Sequence, residues 1–194
     1  MERKPFILAA PLAFVVFLVG VLISIISAPT LDLHNLSALG KNDNYLTAVS
    51  FGITCVTSGI LVMVYGFGKM IFEKGAHRVS GAFFLLGGLG LLLVGVYDAS
   101  QLRLHNMVTV FFMLMMVIGI SIASVSDIVN GNKAVFYTTI IIMVLIVVQW
   151  PIFTGAMSEC VAIGLASVWA FVQTMKYEKE DSLATAEAAE VSSS

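Results

Sequence analysis

Charge is scarce in this chain. Lysine, arginine, aspartate and glutamate make up 11% of the 194 residues, 59% are hydrophobic, and the mean hydropathy is +0.98. A soluble domain carries about 25% charged residues, so the deficit excludes an ordinary wetted surface and points to a bilayer as the solvent. The charges form no basic patch, which excludes nucleic acid as a partner. None falls clearly at the middle of an apolar run, which argues against a voltage sensor or a steeply proton-coupled pump. Cysteine is equally sparse. Cys55 and Cys160 sit at different depths and form no Cys-x-x-Cys pair, so neither a disulfide nor a thiolate metal site is expected, and both read as buried free thiols. No phosphate-binding loop, His-Glu-x-x-His or Gly-x-Ser-x-Gly occurs. Strict alternation of apolar and polar residues is absent too, which excludes a transmembrane barrel. No internal repeat or matched pair of broken helices suggests an inverted-repeat transporter.

What the chain has is long apolar runs, at about 6–26, 46–72, 79–97, 105–128, 134–153 and 159–176. About 20 apolar residues cross the hydrocarbon as a helix. The fold class expected is therefore all-α, an integral membrane bundle of six transmembrane helices over residues 1–176, followed at 177–194 by a disordered acidic cytoplasmic tail. The first run exceeds the roughly 7–15 apolar residues of a signal peptide and reads as a retained span. With an inner N-terminus, Arg3, Lys4, Lys69, Lys74, Arg78, Lys133, Lys176 and Lys179 lie inside, and only Lys41 and Arg103 lie outside. That bias predicts a multi-pass protein of the cell membrane with both termini cytoplasmic.

Glycines repeat every seven residues in two consecutive runs: Gly52, Gly59 and Gly66, then Gly81, Gly88 and Gly95. Each series lines one helix face and predicts a close hairpin. Pro151 is expected to end the fifth span. The first outer loop, about 27–45, is too leucine-rich for a freely solvated loop, so it is expected to lie in the interface or roof the outer mouth.

Polar residues collect at that outer rim. Asp98 and His105 end and begin successive spans, so they can face each other, and a carboxylate beside an imidazole can orient a tautomer or carry a proton. Glu159 opens the last span. These three are the catalytic candidates; Asp32, His34, Tyr97 and Arg103 are the ligand-binding candidates. The alternative is that all are ordinary headgroup-level residues, with Glu159 favoured by the helix dipole and Arg103 paired with Asp98 or lipid phosphate. No spacing asks for a metal ion, and no cofactor is expected. Asp127, near the inner end of the fourth span, reads as interfacial, with Lys74, Arg78 or Lys133 as neighbours.

Some short motifs point further. Leu36-Ser-Ala-Leu-Gly40, Asn44 and Phe51-Gly52 occur in the first loop and second span. Ser80-Gly81, Gly90-Leu91, Val94-Gly95-Val96-Tyr97, His105 and Phe111-Phe112 follow. Over about residues 10–175 the chain resembles the uncharacterised six-span membrane family called domain of unknown function 998. The resemblance implies six helices and a histidine at the outer start of the fourth, and no activity. Three readings of function follow: a protein binding lipid or a small amphiphile at a polar outward pocket, a membrane-embedded hydrolase or lipid-modifying enzyme using Asp98 and His105, and a small transporter or channel. Membrane lipids are the partners expected; protein partners are not legible.

Overall fold

The computed structural model describes residues 3–28, 36–41, 44–97, 101–153 and 155–193. Its helices are α1 (Lys4–Ser27), α2 (Tyr45–Phe72), α3 (Gly75–Val96), α4 (Leu102–Val129), α5 (Lys133–Val148) and α6 (Ala156–Ser193), with a 3-10 turn at Leu36–Lys41. Local chemistry sets several boundaries. Pro5 stands in the first turn of α1, where its missing N–H costs nothing. Asn44 caps α2 by accepting from the Leu46 and Thr47 amides, while its own amide donates to the Ser27 carbonyl and ties the two helix ends together. The α2–α3 and α4–α5 turns pass through Gly75 and Gly131 at φ +55° and +82°, a region other residues seldom enter.

Among the described residues, five helices are long and apolar enough to cross a membrane. The chain is an integral membrane bundle, and its outer wall fits hydrocarbon: Leu12, Val19, Leu22, Val110, Leu114 and Val144 all point outward. The fifth helix is the shorter apolar one. Its 16 residues rise about 24 Å, short of the roughly 30 Å core. The helix stops at Val148, just before Pro151 as expected, because turn bonds from Ile152 and Phe153 converge on the Gln149 carbonyl and Pro151 has no N–H to continue the ladder.

The glycine series pair in antiparallel register. A Cβ at Gly59 would sit 2.6 Å from the Leu92 nitrogen and 2.7 Å from the Gly88 carbonyl oxygen; at Gly66 it would meet the Leu85 nitrogen at 2.5 Å; at Gly95 it would meet the Gly52 oxygen at 2.5 Å. Backbone thus touches backbone along the whole α2–α3 seam, as the seven-residue spacing predicts. α1 packs on α2 and α4 on α3, while α5 and α6 pack more loosely. Tyr65 meets Phe84 edge-to-face at 5.3 Å and Phe84 packs tilted on Trp169 at 5.5 Å, and Trp169 donates to Thr139.

One expectation changes, at the cysteines. Cys55 is buried, but Cys160 is exposed on the outside of the bundle. The helix α6 runs on into the predicted tail, and Tyr177, its first residue, is among the most buried side chains of the protein. The packed region therefore extends beyond residue 176. Alanine and paired charge such as Lys176–Glu180 support helix in this stretch.

Candidate functional site

The bundle has two polar ends. At one, the start of α1, the α2–α3 turn, the end of α4 and the residues of α6 around Tyr177 come together; we call this the terminal end. The opposite end carries the 3-10 turn and the starts of α2, α4 and α6.

Of the site residues singled out from the sequence, Tyr97, Arg103, His105 and Glu159 belong to the opposite end. Glu159 accepts a hydrogen bond from the Leu36 amide at 2.7 Å and so pins the 3-10 turn to α6. His105 is buried, with Nδ1 2.7 Å from the Tyr97 carbonyl oxygen. A carbonyl only accepts, so Nδ1 carries the proton. Tyr97 thus contributes its backbone. Its side chain is half-buried, and Arg103 is exposed. Asp98, Asp32 and His34 lie outside the described residues. A cavity of about 20 Å³ lies under the turn, bordered by Ser37, Phe51, Gly52 and His105. That is room for a water molecule, not for an amphiphile. Among the described residues, no three His, Cys, Asp or Glu side chains converge as metal ligands would.

The terminal end holds most of the buried charge. Asp127 is 0% exposed. Its Oδ1 accepts from Lys176 Nζ at 2.6 Å, its Oδ2 accepts from Gln173 Nε2 at 3.3 Å, and His77 Nε2 lies 3.3 Å from Oδ1. One helix turn of α6 supplies both Gln173 and Lys176, because residues three and four apart share a face. Tyr177 completes that face. Its hydroxyl bonds Lys69 Nζ of α2 at 2.6 Å, and its ring carries the Arg3 guanidinium at 4.4 Å and Lys176 Nζ at 4.8 Å. Arg3 also pairs with Glu73 and lies 3.6 Å from Glu180. Cationic groups from α1, α2 and α6 therefore surround one phenol ring, balanced by Asp127, Glu73 and Glu180. Taken out of water, such charges survive only when paired and hydrogen-bonded, and here the pairing joins α2, α3, α4 and α6 with the residue that caps α1. His77 Nδ1 and Gln173 Oε1 are buried without a hydrogen-bond partner among the described residues.

Sequence reasoning marked Asp127 but chose the wrong partners. Arg78 Nε donates instead to the Glu73 carbonyl, and the carboxylate turns inward to α3 and α6. The usable signal was Gln173, Lys176 and Tyr177 at helical spacing, with Lys69 inside an otherwise apolar run.

Beside this network, α1 and α6 part to leave a groove of about 270 Å³ lined by Lys4, Ile7, Leu8, Thr174 and Glu178. These residues flank Arg3, Gln173 and Tyr177 in sequence, so the network that joins α1 to α6 also sets the walls of the groove. Lys4 and Glu178 are exposed; one helix turn further along, Ile7 and Thr174 are buried and Leu8 is exposed.

A family model described as "Protein of unknown function (DUF998)" matches residues 8–177. No curated protein and no solved structure matches the chain.

Proposed function

The chain belongs to this family of proteins of unknown function, a membership that brings no activity with it, and we propose that the protein holds a lipid or small amphiphile between its helices without transforming it. The observation that carries this reading is the groove between α1 and α6, about 270 Å³, with Lys4 and Glu178 at one end of its lining and Ile7, Leu8 and Thr174 one helix turn further along. It approaches the size of a small-molecule site. The cavity at the opposite end, about 20 Å³, is too small for the amphiphile first expected there, so the reading moves to the terminal end. The basic residues near that end favour a cytoplasmic position for it in the cell membrane. Hydrolysis has weaker support. His105 and Glu159 each hold a backbone group, and catalysis needs acid and base within reach of one reacting atom.

The test is lipid retention. Native mass spectrometry of the full chain, after detergent extraction and delipidation, is expected to find one phospholipid per chain. Leu8→Trp fills the groove from an exposed position and is expected to abolish retention with the fold intact. Equal retention in both proteins would remove the groove from the account.

A further inference from the structure

We infer that the α1–α6 groove selects a zwitterionic phospholipid whose headgroup ends in a primary ammonium, with the phosphate against Lys4 and the ammonium against Glu178. This rests on the lipid-holding reading and adds the class of lipid. Both walls change character with depth in the same way. Lys4 and Glu178 are exposed at the mouth, while Ile7 and Thr174 are buried below them. Three or four residues on a helix amount to about 5 Å of depth. A phospholipid has that same profile: ionic headgroup first, ester and chain beneath.

Two opposite charges at one mouth ask for a ligand that carries both. Lys4 opens α1, where the helix dipole adds to the attraction for phosphate. Arg3, the neighbouring cation, is engaged with Tyr177, Glu73 and Glu180, which leaves Lys4 as the cation that lines the groove. Across from it, the Glu178 carboxylate accepts hydrogen bonds from an ammonium and repels a second negative charge. It disfavours an anionic headgroup and offers no specific bond to a quaternary amine, which has no N–H. Deeper in, the Thr174 hydroxyl already donates to the Ala170 carbonyl at 3.0 Å, so the polar capture happens at the mouth. From there Leu8, Leu12, Val15, Val19 and Leu22 run down α1 as one exposed apolar stripe on which an acyl chain can lie.

The test uses the full chain in nanodiscs holding an equal mixture of phosphatidylethanolamine and phosphatidylglycerol with identical acyl chains, with retained lipid counted by native mass spectrometry. Phosphatidylethanolamine is expected to exceed phosphatidylglycerol about tenfold, the order of one charge-assisted hydrogen bond. Glu178→Gln should erase that preference. Lys4→Gln should weaken both lipids, and Leu8→Trp should release both. Both charged positions are exposed, so an unchanged Tm certifies each fold. Retention of phosphatidylglycerol equal to or above phosphatidylethanolamine overturns the headgroup assignment and leaves the groove reading intact. A preference that survives Glu178→Gln overturns it as well. Retention of neither lipid removes both.

Discussion

Asp127 shows how far a single residue can be read. A carboxylate near the end of an apolar run is visible in the sequence and marks either an interfacial or a functional position. Its partners are not visible, because Lys176 is 49 positions away and helix adjacency decides the pairing. The bond to Lys176 leads to a prediction. Lys176→Met strands a buried carboxylate and should lower stability by about 3–5 kcal/mol, whereas the double variant Asp127→Leu/Lys176→Met should recover most of the loss, since a well-packed apolar pair replaces an ionic one at little cost. Thermal unfolding in detergent micelles measures both. A double variant no better than the single would show that the pair does more than satisfy its own charges. The opposite end was read less well at this scale: Glu159 and His105 are polar at a helix start, as expected, but they brace backbone groups, and their spacing gave no hint of that.

Among the elements, the α2–α3 seam was the most legible, because a seven-residue glycine repeat has one physical use, the approach of two backbones. Gly59→Ala pushes a methyl group to 2.6 Å from the Leu92 nitrogen and should cost about 1–3 kcal/mol, as overpacking does. Gly164→Ala meets nothing within 4 Å and should be neutral or gain up to about 1 kcal/mol of helix propensity. Unfolding midpoints of the two variants compare them directly, and equal losses would contradict the seam. The end of α5 was less legible. An apolar run through residue 153 conceals the turn at Gln149, which is set by backbone bonding and a buried side chain that reaches Ser158. Where acidic, serine-rich composition predicts disorder, α6 continues, and the burial of Tyr177 depends on Arg3 and Lys69 from distant parts of the chain.

At the scale of the whole molecule, the hydrocarbon surroundings follow from composition, and charge placement predicts the alternating threading. The groove follows from neither, because its walls come from the first and last helices and exist only once the bundle closes. The account depends on that threading: an N-terminus and an α6 end that share one membrane face bring Lys4 and Glu178 to one mouth. Cysteine accessibility in intact cells tests it most directly. In a Cys55→Ala/Cys160→Ser background, single cysteines at Lys4, Lys74, Tyr45 and Arg103 are treated with a membrane-impermeant maleimide. The account predicts that positions 45 and 103 label in intact cells and that positions 4 and 74 label only after permeabilisation. Labelling of positions 74 and 103 from the same side would contradict it.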